Sequence, residues 1–351
     1  MTTFIQLHIL TAYAPSNLNR DDTGRPKTAI MGGVERLRVS SQSLKRAWRT
    51  SDVFEDALNG HIGTRTRRLG PEIYKQLRDK GVAEKMALSI AGKIAEQFGK
   101  LKSDKGASAE ENLEIEQLVH ASPEEQQQIQ KLLATLITDN REANPEELNL
   151  LRANAQAVDI ALFGRMLASK PEFNVEAACQ VAHALGVSAV TVEEDFFTAV
   201  DDLNGKKDSG SAHMGEQGFA SALFYSYICI SRDLLLENLN GNEELVQRTL
   251  RALTETALTV SPGGKQNSFA SRAWASYVMA EKGTQQPRAL SVAFFSPVRG
   301  EDQHAQAITR LQQQQQKFTR AYGQRTEEQR YEMNVESGDG TLQELLNFVS
   351  Q

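Results

Sequence analysis

The sequence predicts an α+β fold in which a split βαβ sheet of ferredoxin or RRM type is interrupted by insertions. Three observations predict it: a strand pattern opens the chain, a long run of helix formers follows, and strand patterns return in the last third. Residues 3–13 alternate Ile5, Leu7 and Ile9 with Gln6 and His8, as a half-buried strand does, which puts His8 on the less buried face. A loop with Pro15, Pro26 and the pair Gly32-Gly33 leads into a short strand over 35–39. A helix follows that Ser40 or Ser41 can cap.

From about residue 54 to 170 strand-like runs nearly vanish. Helices are expected over 71–79, 82–101, 110–120, 123–138 and 145–157, separated by breaks such as KSDKGAS and TDNREANP. Pro71, Pro123 and Pro145 each fall where a first helical turn starts, a place where proline is tolerated. Strands are expected again over 224–230, 269–278 and 289–295, with a helix over 243–258. Residues 177–187 suit helix by their alanines and strand by their length, and are assigned as strand. A helix over 301–322 carries Gln312 to Gln316 on a solvated face, and Thr341 caps a last short helix.

Composition narrows the function classes. The 351 residues are 40% hydrophobic, enough for a real core and for about two domains. Cys179 and Cys229 are far apart and lack metal spacing, which fits buried thiols in a reduced, cytoplasmic setting. No leader-like or membrane-spanning segment is expected, the histidines are scattered, and neither GxSxG nor GxxxxGK[ST] occurs. No cofactor, metal ligand or catalytic residue is assigned.

Charge is distributed unevenly. Residues 19–49 hold eight Lys or Arg against three acids, a segment of +5 in a chain of net −6. Local potential at a groove outweighs net charge, so this island points to a polyanion, nucleic acid first. On a helix starting near Ser41, Gln42, Lys45 and Arg49 share one stripe with Arg46 beside it, while Leu44, Ala47 and Trp48 lie on another. Arg20, Arg25 and Lys27 precede Gly32-Gly33, where backbone can approach a phosphate closely. Lys265, in the loop SPGGKQNS, sits either at a backbone approach or in a plain turn.

Several motifs carry a resemblance. LNRDD, Gly32-Gly33 and above all RVSSQSLKRAWR resemble the CasC family, the backbone subunit of the type I-E CRISPR complex Cascade. So do VDIALFGRM from Val158, EDFFTAVDDL from Glu194, and GSAHMG with the later FYSY, spread in order over most of the chain.

The resemblance implies a right hand: an RRM-like palm, an inserted helical finger domain and a β-hairpin thumb. On these residues the palm takes 1–53, 174–188 and 219–351, the fingers 54–173 and the thumb 189–218. It implies several copies stacked head to tail on one CRISPR RNA, beside other Cascade subunits, holding phosphates without reading sequence. The thumb kinks the RNA so that short runs of bases pair with a target DNA strand. The implied backbone contacts are Lys27, Ser40, Gln42, Lys45, Arg46 and Arg49, and the base-flanking contacts Met166, Phe197, Thr198 and Val200. Arg165 is a further expected phosphate contact beside Met166, and Arg20 and Lys265 complete the set. An apolar wedge between bases replaces lost stacking, worth roughly 1–3 kcal/mol per base.

Two other readings stand beside it. Backbone subunits of type III complexes cut RNA with a loop aspartate, and Asp21-Asp22 occupy a corresponding loop. A free-standing RRM-like regulator would bind RNA as a monomer with sequence preference. One departure concerns DNA: family members can carry a lysine-rich finger helix, whereas residues 123–142 offer little beyond Lys131 and Arg141. Arg65, Arg67 and Arg68 form the nearest alternative cluster.

Overall fold

The computed structural model describes residues 2–152, 157–199, 213–323 and 327–351. Among the described residues are eleven strands: β1 (Phe4–Ser16), β2 (Thr28–Met31), β3 (Val34–Val39), β4 (Thr64–Thr66), β5 (Val119–Ala121), β6 (Cys179–Val181), β7 (Ala184–Gly186), β8 (Glu193–Ala199), β9 (His213–Ser231), β10 (Tyr277–Gly283) and β11 (Gln329–Asn334). The helices are α1 (Ser41–Arg49), α2 (Asp52–Ala57), α3 (Leu69–Asp79), α4 (Glu84–Ala95), α5 (Pro123–Asp139), α6 (Val158–Phe163), α7 (Arg232–Asn238), α8 (Glu243–Thr259), α9 (Gln266–Phe269), α10 (Gln303–Tyr322) and α11 (Leu342–Ser350). The result is a mixed α/β chain in two compact units, one of 1–54, 181–229 and 250–351, the other of 55–180 and 230–249. No helix among the described residues is long and apolar enough to cross a membrane.

The first unit is built on a nine-stranded sheet ordered β11-β10-β1-β9-β7-β3-β2, with β6 and β8 also pairing β9. β10 pairs antiparallel with both β1 and β11, and β3 with both β2 and β7. One face carries Leu10, Tyr225, Tyr277 and Met279 against Leu290, Phe294 and the α10 residues Ala307, Ile308 and Leu311. Helix α11 packs on β10 and β11, where the Lys282 ammonium lies 5.0 Å from the Phe348 ring centroid. The second unit has its own core, in which Ile90, Ile94 and Phe98 meet Ile129, Leu133 and Leu136 of α5. Ser122 and Glu125 close a capping box at the start of α5.

Where elements follow the sequence pattern, their ends are chemically marked. Ser40 caps α1 and Thr341 caps α11, each accepting a backbone N–H three residues on. The ambiguous 177–187 region forms strands β6 and β7. Cys179 and Cys229 are free and buried.

Other expectations fail for local reasons. Residues 110–120 form a 3-10 turn, Glu111–Leu113, and then β5, because Val119 and Ala121 alternate inward around His120 and pair with β4. Residues 145–157 give only the turn Glu146–Leu148, after which Leu150 and Leu151 are both buried in the second unit's core, and 153–156 lie outside the described residues. The strand expected over 269–278 starts only at Tyr277. Before it α9 ends at Ala270 in the left-handed region, and Ser261 holds residue 273 through its hydroxyl. Residues 289–295 form the 3-10 turn Ser291–Phe294, whose Phe294 and Phe295 carbonyls accept from buried Arg36.

His8 is fully buried, against the expectation of a more open face, because β1 is a central strand covered on both sides. Its Nε2–H donates to Glu281 (3.1 Å) and its Nδ1 accepts from the Tyr225 hydroxyl (2.9 Å). Arg288 grips the same carboxylate with both terminal nitrogens, and Gln315 of the glutamine tract donates to it from α10. The tract is therefore solvated only in part, since Gln315 is buried. Burial keeps His8 below its ordinary pKa despite Glu281. Burial also opposes the charge of Glu281, yet the His8 and Arg288 hydrogen bonds hold its carboxyl well below the usual range.

Candidate nucleic-acid interface

The basic island divides when folded. Arg36 is wholly buried and donates to the Gly186 and Phe294 carbonyls, so desolvation lowers its pKa and none of its charge faces solvent. Arg38 is half-buried against Thr28 and His183. The remaining cations lie on a closed loop and on one side of α1.

The loop over 17–27 is held by three asparagine and aspartate devices. Buried Asn17 donates to the carbonyls of Gly24 (3.0 Å) and Gly218 (2.8 Å), tying the loop to itself and to β9. Asp21 Oδ1 accepts from the Thr23 hydroxyl, Thr23 N–H and Arg25 N–H, an Asx-type turn that, through Thr23 first, holds its carboxyl below the ordinary value. Asn19 Oδ1 accepts from Ser40 N–H (2.9 Å), fastening the loop to the start of α1. Arg20 and Pro26 bridge across the base of the loop.

Helix α1 then presents its donors. Leu44 and Trp48 are buried, while Gln42 and Arg46 are exposed and Lys45 and Arg49 half-exposed. Arg46 and Arg49 fall in the last turn, where cations suit the helix dipole. Ser40 is buried and its hydroxyl caps Ser43 N–H, so its contribution is to the helix start. The loop at Lys265 joins this corner, because a Cβ on Gly264 would come 2.2 Å from the Leu18 carbonyl oxygen. Only glycine permits that approach, and it sets exposed Lys265, with φ at +50°, beside the 17–27 loop. The field is legible in a neighbour: His183 titrates below its ordinary value, first by burial and then by the Arg38 and Lys27 charges.

The antiparallel ladder of β8 and β9 touches the same loop. Arg25 pairs with Glu194 of β8 at 2.7 Å, and Pro26 abuts the backbone at Gly218 of β9. On β8 Phe196, Phe197 (40% exposed) and Thr198 all reach solvent. Val200 lies outside the described residues.

In the second unit Met166 is 81% exposed beside a cavity of about 280 Å³ lined by Phe98, Ile115, Leu118 and Leu167. Its neighbour Arg165 corrects the expectation of a phosphate contact. The Arg165 guanidinium is buried, meets both oxygens of buried Glu125 at 2.9 Å, and donates to the Arg152, Phe173 and His120 carbonyls. A fork used this fully has no donor for a phosphate. Arg141 is likewise occupied, by Glu147 and Asp139, whereas Arg65, Arg67 and Arg68 of the β4 region are exposed. Asn17 and Asn19 were invisible to a charge count, since an asparagine that orders a basic loop resembles any loop asparagine in sequence.

Comparison places this architecture among known proteins. The sequence matches the CT1975-like protein family over residues 5–347. No curated protein matches it. Among solved structures it is similar to a chain of a "CRISPR RNA-guided surveillance complex, pre-nicking", at 30% identity and a TM-score of 0.83, covering 99% of both chains. A chain of another "CRISPR RNA-guided surveillance complex" shares the fold, at 24% identity and a TM-score of 0.62, covering 99% of this chain and 98% of that one. The chain therefore belongs to the CT1975-like family, the CasC-like backbone subunits of CRISPR surveillance complexes.

Proposed function

We propose that this chain is the CRISPR RNA-binding backbone subunit of a type I-E Cascade complex, gripping RNA phosphates without regard to base sequence. The observation that carries the reading is the joining of the 17–27 loop, the basic side of α1 and Lys265 into one exposed corner of the first unit. Backbone phosphates spaced along a strand match several independent point charges better than a single pocket. The sheet unit acts as the palm, RRM-like in role, and the helical unit as the fingers. The β8–β9 hairpin is the thumb, its aromatic pair kinking the strand, and Met166 flanks a base from the fingers.

Several copies line one RNA, beside other subunits, and the exposed base segments pair with a target DNA strand in the cytoplasm. The role is non-catalytic. The hydrogen bonds that Asp21 accepts from its own loop support this, since a carboxylate engaged as a turn pin is less available to a metal. The test is to purify the protein with its RNA and incubate labelled RNA with Mg²⁺. The RNA is expected to bind and stay intact. Cutting that Asp22→Ala abolishes would make the protein a ribonuclease instead.

A further inference from the structure

The segment that carries Lys265 also carries a tryptophan that nothing above uses. Trp274 is 75% exposed, the larger part of an indole left in water. Its backbone is nonetheless pinned on both sides. The Ser261 hydroxyl accepts from Ala273 N–H at 2.9 Å and donates to the Ala273 carbonyl at 3.1 Å, and Ala275 N–H donates to the Leu258 carbonyl at 2.8 Å. Gln266 closes the stretch between, donating to the Pro262 and Ser271 carbonyls. Lys265 and Trp274 thus belong to one hydrogen-bonded loop that leaves Ser261 and returns to it.

Trp274 lines a groove of about 870 Å³ that borders the basic corner. Ala47 and Thr50, at the end of α1 where Arg46 and Arg49 stand, line it together with Gly263 and Gln266 of the Lys265 loop. The charged residues in its lining are Asp52, Glu255 and Arg272. Two carboxylates against one guanidinium repel a phosphate, so the diester is left on the cations of the corner and the groove admits an uncharged group. A nucleobase is such a group, planar and apolar on both faces. An indole already held in place gives it a stacking surface that needs little further ordering.

We propose that Trp274 stacks one base of the RNA whose phosphates the corner holds, which makes the groove a nucleobase subsite. The inference rests on the phosphate-binding reading and adds a second kind of contact to it. Every base has a π-face, so a stacking subsite raises affinity without adding a sequence preference.

Intrinsic fluorescence tests it, because the chain has two tryptophans and the other, Trp48, is only 2% exposed. The full chain is titrated with a single-stranded RNA and with an abasic strand of equal length, which keeps the phosphates and lacks the bases. Anisotropy of an end label reports binding, and tryptophan emission reports stacking. Both strands are expected to bind, and only the base-bearing one to quench. Trp274→Ala is expected to lower affinity for the base-bearing strand about tenfold and to leave affinity for the abasic strand unchanged. Trp274→Phe, which keeps a ring, is expected to retain most of the affinity while the quenching disappears. Binding of both strands without quenching, or an equal loss for both in Trp274→Ala, overturns the inference alone. Emission that shifts when the protein is concentrated without RNA, and no further when RNA binds, gives the groove to a protein and overturns it as well. A wild type that binds neither strand overturns the phosphate-binding reading and the inference with it. Quenching of the wild type needs no substitution, so it decides the matter even if Trp274→Ala misfolds.

Discussion

The Phe197 ring lies directly over Gly215 across the β8–β9 ladder. The two are register partners, and a Cβ on Gly215 would come within 2.5 Å of the ring's Cζ. An aromatic ring seated on a glycine is fixed in direction, and Phe197 keeps 40% of its surface exposed, which suits a wedge between bases. Phe197→Ala is therefore expected to leave RNA affinity within about twofold while target-strand pairing falls about tenfold, the worth of one stacking contact. Gel-shift assays on the RNA alone and on the RNA with a complementary DNA strand separate the two. Equal losses in both would mean that the ring only supports the hairpin.

Charge reversal on α1 tests the phosphate grip. Lys45→Glu and Arg49→Glu are each expected to weaken binding to all RNAs alike and to lower the slope of log affinity against log salt by about 1. Fluorescence anisotropy across a salt series measures it.

Arg165 is expected to behave as a core residue. Arg165→Ala leaves Glu125 charged and buried, so urea unfolding should report a loss of roughly 3–5 kcal/mol. RNA affinity, measured where the variant remains folded, should be unchanged.

The His8–Glu281 pair sets an acid limit on stability. Both groups titrate lower in the folded chain than in the unfolded one, so the unfolded state takes up more protons as pH falls. Stability is expected to be full above His8's unfolded value of 6.5 and to fall below it, then again below about 4.5 as unfolded Glu281 protonates. His8→Gln should flatten the first step in a series of melting curves between pH 7.5 and 5.

Much of the basic corner proposed for RNA is legible in sequence because charge and helical spacing are local. Leu44 and Trp48 inside with Gln42 and Arg46 outside is simply the wheel of α1. What failed depended on partners distant in sequence. Arg36 and Arg165 count as cations along the chain and are spent in the fold, one on carbonyls, the other on Glu125, forty residues away. Residues 289–295 read as a strand and fold as a turn on the carbonyls that Arg36 occupies. Only the close approach of Gly264 to Leu18 joins Lys265 to the basic corner, a contact that no composition count can see.

The central claim is that the corner built on Arg20, Lys27, α1 and Lys265 holds RNA by its phosphates. The most direct measurement is the dissociation constant, across a salt series, for two single-stranded RNAs of equal length and unrelated sequence. Equal constants with equal steep salt slopes, both reduced together by Lys45→Glu, are the expected result. A tenfold preference for one sequence, or affinity indifferent to salt, would contradict it.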